Sequence, residues 1–329
     1  MYKKSVIKPF GNLGINLVTI LRPEQLVPCE KSSIKKTVTF RPGYGNIINT
    51  GAIKKIIEGQ LQLIQGQFYV CGDVVADSPL MTDDEHLKLI KLVLNTVAGR
   101  RKVIASTGSN DTSVAIEMTK LALGYHYKPD GFLQTVPYGL NLTQAEMRNH
   151  FTLIFKALPH EYRNIPILLY DNIFRTGVSA DPDTILHLDR AKIIRGVKLV
   201  SRQGDQLAEV LKHCSPDFMV YVCDEEEAYG KLLNGAHGII STLANIFPLE
   251  TQRMISYCKG QDIGLGGLAL HRHLNPFFKF AGIISPGKTV KAALCMMHDF
   301  DYIVRSPTLP LPEEKQGELK SLLRSYNLL

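Results

Sequence analysis

A lysine, a tyrosine and an arginine follow apolar runs in the second half of the chain. Lys198 lies in the apolar run 193–200, Tyr170 ends the run before it, and Arg175 follows Tyr170 closely. Burial lowers the pKa of a lysine because it disfavours the ammonium form, and a neutral amine attacks carbonyl carbons. A tyrosine carries protons, and a guanidinium matches a carboxylate. These three residue types predict imine chemistry.

Each of these residues also has an ordinary structural explanation. A lysine near a strand end can reach water with its ammonium group, and lysines prefer the surface, so Lys198 alone favours that explanation. The hydroxyl of Tyr170 can reach solvent, and Arg175 can form a surface salt bridge. Convergence of all three at one end of a sheet would favour the functional interpretation.

Eight apolar runs alternate with amphipathic helical segments from residue 36 onward. The predicted strands are residues 37–40, 67–71, 102–106, 131–137, 165–170, 193–200, 217–223 and 238–242. Strands that alternate with helices indicate a parallel sheet, and eight such units favour a closed (β/α)8 barrel, the TIM barrel. The active sites of such barrels lie at the carboxyl ends of the strands, where the candidate residues would meet.

Local patterns predict the helix starts and the domain boundaries. Thr82-x-x-Glu85 and Thr143-x-x-Glu146 are capping boxes, and Asp181 before Pro182 is typical of a helix start. We predict an N-terminal extension over 1–33, the barrel over 34–247, and the last barrel helix with a C-terminal helical domain over 248–329.

Composition excludes several classes of protein. The hydrophobic fraction is 45% and no apolar run is long enough for a membrane helix, so we expect no membrane association. The net charge of +7 lies within residues 1–60, which favours a solvated basic segment over a nucleic-acid site. The six cysteines form no C-x-x-C pair, and the N-terminus is a poor signal peptide. We therefore predict a cytoplasmic protein.

Four segments resemble one enzyme family. Residues 169–177 (LYDNIFRTG) resemble the LYNxPxRTG segment of the dihydrodipicolinate synthase / N-acetylneuraminate lyase family of Schiff-base aldolases. Residues 196–198 (GVK), 104–110 (IASTGSN) and 235–241 (GAHGIIS) resemble its G(I/V)K, IAGTGSN and GAxGxIS segments. The spacing matches from about residue 37 to the end of the chain. The resemblance implies a (β/α)8 barrel with a C-terminal helical domain, assembled as a homo-oligomer (dimer or tetramer).

The resemblance also implies roles for particular residues. Lys198 would form an imine with pyruvate or a related 2-oxo acid, and Tyr170 would shuttle protons. Arg175 would contact a carboxylate of the second substrate, an aldehyde, or border the entrance of the site. The protonated imine is itself the electron sink, so neither a metal nor an organic cofactor is implied. The remaining residues placed at the substrate site are Val74, Val75, Tyr138 and Ile240.

The chain departs from the family pattern around the predicted site. Residues 73–77 (DVVAD) replace Gly-Thr-Thr-Gly-Glu, so Val74 and Val75 keep the shape of threonine without its hydroxyl. A hydroxyl relay to the tyrosine is therefore impossible through position 74, whereas backbone N–H groups there remain able to hold a carboxylate, with the charge of Asp73 unfavourable nearby. Gly139 replaces the second tyrosine of Pro-Tyr-Tyr. Loss of such a relay typically costs 10²–10⁴-fold in rate.

Three functions fit these residues. The first is a lyase or synthase that uses another 2-oxo acid, and the joint retention of Lys198, Tyr170 and Arg175 favours it. The second is a dihydrodipicolinate synthase with an altered relay, which condenses pyruvate with aspartate semialdehyde. The third is a catalytically silent binding paralogue, consistent with the missing hydroxyls and with Asp171 in place of the family's asparagine.

A nucleotide-binding pattern offers a rival function. Residues 282–289 (GIISPGKT) satisfy GxxxxGK[ST]. That motif needs a strand before it and a helix after it. The surrounding residues are helical in pattern, so we predict an ordinary helix start near Pro286.

Overall fold

The structure is a computed structural model, which describes residues 10–23, 46–200, 204–260 and 265–329 of the 329-residue chain. These residues form ten strands and twelve α-helices. The strands are β1 (Leu13–Asn16), β2 (Leu21–Pro23), β3 (Asn46–Ile48), β4 (Phe68–Cys71), β5 (Lys102–Ser106), β6 (Gly131–Thr135), β7 (Ile167–Asn172), β8 (Gly196–Val200), β9 (Met219–Val222) and β10 (Gly238–Ser241). The helices are α1 (Thr50–Leu63), α2 (Asp83–Val97), α3 (Thr112–Leu123), α4 (Gln144–Ala157), α5 (Ile173–Thr176), α6 (Pro182–Arg190), α7 (Gly204–His213), α8 (Glu225–Leu233), α9 (Pro248–Lys259), α10 (Leu265–Ile284), α11 (Pro286–His298) and α12 (Glu313–Ser325).

Eight parallel strands close a barrel in the order β1-β10-β9-β8-β7-β6-β5-β4. The two remaining strands, β2 and β3, form a separate antiparallel ribbon. Helices follow the strands around the barrel, so the predicted (β/α)8 fold is confirmed. No helix in the described part of the chain is both long and apolar enough to cross a membrane.

The first barrel strand differs from the prediction. The strand predicted at 37–40 lies outside the described residues, whereas β1 lies within the segment assigned to an N-terminal extension. The inward positions of β1 are Gly14 and Asn16, so the strand lacks the continuous apolar run from which the other barrel strands were predicted. Gly14 is required because a Cβ there would come 2.6 Å from the ring of Phe68 on the neighbouring strand. The other seven predicted strands are confirmed within a few residues at each end.

Alternation along the strands separates the barrel interior from the layer under the helices. The apolar side chains of the interior form one cluster: Phe68, Val70, Ile104, Leu133, Leu168, Met219, Tyr221 and Ile240, with Phe10 and Tyr170. Val197 and Leu199 on β8 belong instead to the outer core under the helices. Lys198 lies between them in sequence and therefore points inward. Its register partners are Tyr170 and Tyr221, so it is flanked by aromatic side chains on both sides.

The predicted helix starts are also confirmed. In both capping boxes the threonine hydroxyl accepts from the backbone N–H of the glutamate, and the glutamate carboxylate accepts from the backbone N–H of the threonine. Asp181 is the N-cap of α6, with Pro182 at its first position. These caps fix the helices that follow β4, β6 and β7.

Two C-terminal helices lie over the carboxyl ends of the barrel strands. Helix α10 contributes Phe278, Ala281 and Gly282 to a cavity that Lys198 also lines. Lys291 of α11 pairs with Asp77 in the loop after β4. The C-terminal segment therefore covers the cavity of Lys198 and contacts the loop after β4.

The nucleotide-binding pattern has no P-loop context. Helix α10 runs to Ile284 and α11 begins at Pro286, so a helix, not a strand, precedes Lys288. The prediction of an ordinary helix start is confirmed.

Candidate active site

A buried ion pair lies at the carboxyl ends of the barrel strands. Lys198 extends inward from β8, and its Nζ lies 2.5 Å from Oδ2 of Asp73, the first residue after the turn that ends β4. Both side chains are 2% exposed. Asp73 is fixed by two further hydrogen bonds, from the Val74 backbone N–H to Oδ1 (2.7 Å) and from Asn16 Nδ2 to Oδ2 (2.8 Å). Strands β1, β4 and β8 thus meet at one carboxylate.

The pairing corrects two expectations for this site. Burial alone would lower the pKa of Lys198, but the Asp73 carboxylate outweighs burial and raises that pKa above the ordinary value. Burial alone would raise the pKa of Asp73, whereas the Lys198 ammonium lowers it overall. Lys198 is therefore an ammonium before any substrate binds. The backbone N–H of Val74, expected to be available to a substrate carboxylate, already binds Asp73.

Tyr170 lies beside the ion pair on the adjacent strand. Its ring centroid is 4.2 Å from Nζ of Lys198, so the ammonium faces the aromatic ring. The phenolic oxygen accepts a hydrogen bond from Asn172 Nδ2 at 3.0 Å. Burial raises the pKa of Tyr170 to about 12. The tyrosine is therefore a neutral phenol whose proton is available to a bound molecule.

Arg175 lies at the cavity entrance on the short helix α5 that follows β7. Thr176 fixes this segment, because its hydroxyl donates to the carbonyl oxygens of Asn172 (2.9 Å) and Val178 (2.6 Å). Among the described residues, no acidic side chain lies within ion-pair distance of Arg175, which is exposed. The surface salt bridge considered from the sequence is thus not found in this part of the chain. The guanidinium is available to an anionic ligand.

Two cavities meet at these residues. Lys198 lines a cavity of about 180 Å³ together with Asn172, Cys223 and side chains of α10. Asp73 lines a larger cavity of about 470 Å³ between the ends of β4, β5 and β6. Tyr170 and Arg175 line both cavities. Lys198, Tyr170 and the Arg175 guanidinium are therefore within reach of one bound molecule.

The other predicted substrate residues are distributed unevenly. Val75 lines the lysine cavity, and Val74 and Tyr138 line the larger one. Ile240 lines none of the cavities found around the described residues, because its side chain is fully buried in the barrel interior. Gly139 has φ +73°, a conformation that a tyrosine would adopt only with strain.

Sequence reasoning missed three residues at the site. Asn16 lies in the segment assigned to an extension, and Asp73 was interpreted only as an unfavourable charge. Glu225 is the first residue of α8 and is buried. Its Oε1 accepts from the Ser241 hydroxyl (3.1 Å) and from the backbone N–H groups of Thr242 (2.8 Å) and its neighbour. The sequence signal that could have indicated Asp73 is an acidic residue close to the end of a predicted barrel strand.

In the described part of the chain, no group of three or more His, Cys, Asp and Glu side chains is arranged to hold a metal ion. The donors found at the site are one amine, one phenol, one guanidinium and carboxylates. These groups are suited to proton transfer and to binding an anionic carbonyl compound.

Comparisons with known proteins agree with this geometry. The sequence matches the family described as "Dihydrodipicolinate synthetase family" over residues 34–326. The 4-hydroxy-tetrahydrodipicolinate synthase of Heliobacterium modesticaldum is 33% identical over 259 residues, which cover 79% of this chain and 84% of that protein. A synthase of the same name from Synechococcus sp. is 36% identical over 263 residues, or 79% and 82% of the two chains. The crystal structure of dihydrodipicolinate synthase from Aquifex aeolicus superposes with a TM-score of 0.83 at 26% identity, covering 97% of this chain and 99% of that one.

Proposed function

Because the chain belongs to the dihydrodipicolinate synthetase family, we propose that it is an aldolase-type lyase or synthase that forms a Schiff base between Lys198 and pyruvate or a related 2-oxo acid. The observation that carries the proposal is the inward position of Lys198 beside Tyr170, with Nζ 4.2 Å from the ring centroid. An amine in that place reaches a bound carbonyl carbon, and a neutral phenol stands next to it.

The proposed reaction uses the cavity residues in turn. Lys198 and the keto group form an imine with loss of water, and the protonated imine stabilises a carbanion at the adjacent carbon. That carbon then attacks an aldehyde, or in the reverse direction releases one. Tyr170 exchanges a proton with the reacting oxygen, and Arg175 at the entrance binds a carboxylate of the aldehyde substrate.

The names of the relatives support a more specific candidate. Both curated relatives are 4-hydroxy-tetrahydrodipicolinate synthases, so condensation of pyruvate with aspartate semialdehyde is the first reaction to assay. The loop residues Val74 and Val75 count against high activity, since they offer no hydroxyl for proton transfer.

A catalytically silent paralogue is a further candidate, and one observation favours it. Asp73 holds Lys198 as an ammonium, which is not a nucleophile. This candidate would bind a 2-oxo acid in the cavity without forming a covalent bond.

Borohydride trapping distinguishes these functions. The protein is incubated with pyruvate and then with other 2-oxo acids, reduced, and analysed by intact mass and peptide mapping, with Lys198→Ala as the control. We expect a mass increase that maps to Lys198 and is lost in the variant. If unreduced protein given pyruvate turns over aspartate semialdehyde, it is the synthase; if it turns over only other aldehydes, it is a different aldolase. No adduct with any 2-oxo acid would contradict the imine mechanism.

We also propose that the protein is a homo-oligomer. Four large apolar side chains are exposed after β6 and β7: Tyr138 (37%) and Leu140 (53%) on the loop after β6, and Ile173 (43%) and Phe174 (49%) on α5. Exposed apolar side chains clustered beside a site are typical of subunit contacts. Light scattering coupled to size exclusion would give a dimer or tetramer mass, and a monomer at all concentrations would contradict the proposal.

A further inference from the structure

The carboxylate of Asp73 lies at Nζ of Lys198, where it would act either as a proton-transfer group or as an inert counter-ion. It lies two residues after the end of β4, is buried, and approaches Nζ of Lys198 to 2.5 Å. Its orientation is fixed by the Val74 backbone N–H on Oδ1 and by Asn16 Nδ2 on Oδ2. A fixed carboxylate on a reacting nitrogen has the distance needed for direct proton exchange.

Neither Tyr170 nor the two valines of the loop after β4 accept a hydrogen bond from Nζ of Lys198. Tyr170 presents the face of its ring to Nζ, and its oxygen is hydrogen-bonded to Asn172. Val74 and Val75, the two residues after Asp73, have no hydroxyl. Among the described residues, Asp73 alone accepts a hydrogen bond from Lys198. Asp73 is therefore the carboxylate placed to exchange a proton with Nζ of Lys198.

We propose that Asp73 is a catalytic residue that takes a proton from Lys198 before imine formation and returns it to the leaving hydroxyl, an inference that rests on the proposed imine chemistry. Proton exchange inside the pair converts an ammonium and a carboxylate into a neutral amine and a carboxylic acid. No net charge moves into or out of the buried site. The reactive amine is therefore produced without loss of a proton to bulk water.

The proposed steps balance in atoms and electrons. The amine nitrogen bonds to the keto carbon of the 2-oxo acid, the carbonyl π bond breaks, and one proton moves from nitrogen to oxygen to give a carbinolamine. The Asp73 carboxylic acid then protonates the hydroxyl, the carbon–oxygen bond breaks, and water leaves. The nitrogen lone pair forms the iminium double bond, and the Asp73 carboxylate again faces a cation. No oxidant or reductant takes part.

Asp73 also lies where it can serve a bound keto acid. Its side chain lines the larger cavity, whereas Lys198 lines the smaller one, and Tyr170 borders both. A carbinolamine on Nζ therefore forms next to the carboxylic acid. If Asp73 were an inert counter-ion, it would have the opposite effect on the reactivity of Lys198, because the carboxylate would only hold the lysine as an unreactive ammonium.

The test measures the rate of adduct formation with pyruvate and other 2-oxo acids, quenched with borohydride and counted by intact mass. Asp73→Asn keeps the shape and an acceptor for the Val74 N–H but cannot carry the proton. Asp73→Ala opens space for a small acid. We expect both variants to react at least about 100-fold more slowly than the wild type, the low end of the usual effect of an acid–base group.

Chemical rescue separates acid–base catalysis from a structural role. Added formate should restore much of the rate to Asp73→Ala but not to Asp73→Asn, where the space is filled. Formamide, which has similar size and no charge, should not restore it. Asp189→Asn is the matched control, because Asp189 is also 2% exposed but contacts Ser215, at the opposite end of the barrel. Its rate should equal that of the wild type, and thermal unfolding of each variant would establish that it is folded.

Each outcome has a distinct meaning. A wild-type adduct with slow Asp73 variants and formate rescue would establish the role of Asp73. A wild-type adduct with variants that react equally fast would overturn that role and leave the imine mechanism standing. Variants that react faster than the wild type, or that react where the wild type does not, would show that Asp73 restrains the lysine. No adduct in any protein would overturn the imine mechanism and the role of Asp73 together.

Discussion

Oδ2 of Asp73 and Nζ of Lys198 lie 2.5 Å apart in a site where both side chains are 2% exposed. Two charges can share such a site only when each neutralises the other, because an isolated buried charge is strongly unfavourable. The pair therefore affects stability as well as chemistry. It also joins the loop after β4 to β8 across the barrel mouth.

The ion pair predicts a clear pattern in stability. Lys198→Met leaves Asp73 buried without a counter-ion, so we expect a loss of about 3–5 kcal/mol in the free energy of unfolding. The double variant Lys198→Met/Asp73→Asn should recover most of that loss, because no uncompensated charge remains. Urea denaturation at pH 7 measures both. A single variant as stable as the wild type would show that the pair is not buried as described.

Tyr170→Phe removes one hydroxyl and leaves the ring beside Lys198. If the phenol transfers protons, turnover should fall about 10²–10⁴-fold while borohydride still traps an adduct on Lys198. The lost hydrogen bond from Asn172 should cost on the order of 1 kcal/mol in stability. Turnover equal to that of the wild type would contradict the role of Tyr170.

Arg175 is expected to affect substrate affinity without affecting stability. Arg175→Ala should raise KM for a carboxylate-bearing aldehyde about 10- to 100-fold, the usual worth of a hydrogen bond to a charged group. Arg175→Lys should restore part of the affinity, since lysine keeps the charge but not the two-pronged geometry. The side chain is exposed, so thermal unfolding should be unchanged. An unchanged KM would place the carboxylate elsewhere.

Asp171 predicts a pH dependence of stability. Burial raises its pKa from 3.8 to about 6, although the hydroxyl of Ser179 (2.6 Å) and Nε2 of Gln206 (3.0 Å) donate to it. Between pH 4 and 6 the folded protein keeps a proton that the unfolded chain has released. Stability should therefore fall as the pH rises through this window, by an amount on the order of 3 kcal/mol.

Asp171→Asn removes the titrating group and restores the family's residue at this position. The variant should be more stable than the wild type above pH 6, and its stability should not fall between pH 4 and 6. Asp181→Asn is the control, because Asp181 is exposed on the neighbouring helix start and asparagine also caps helices. Denaturation curves across this pH range would contradict the prediction if all three proteins showed the same slope.

The amino-acid pattern alone predicted the barrel and three residues of the candidate site. Apolar runs alternating with capped helices predicted a closed parallel sheet, and strand ends then predicted that Lys198, Tyr170 and Arg175 would lie together. These properties are local, because each depends on residues close together in sequence. The strand β1 was not predicted as part of the barrel, because its inward residues Gly14 and Asn16 fit the neighbouring strands and form no apolar run.

The tertiary structure decided the charge state of the site. Asp73 and Lys198 are 125 residues apart in sequence, so no local pattern indicates that their side chains meet. From the sequence, burial predicted a lowered pKa for Lys198; in the fold, a carboxylate from the loop after β4 outweighs burial and raises that pKa. Burial of a residue can be predicted from the apolar residues next to it in sequence. Electrostatic pairing depends on distances that only barrel closure sets.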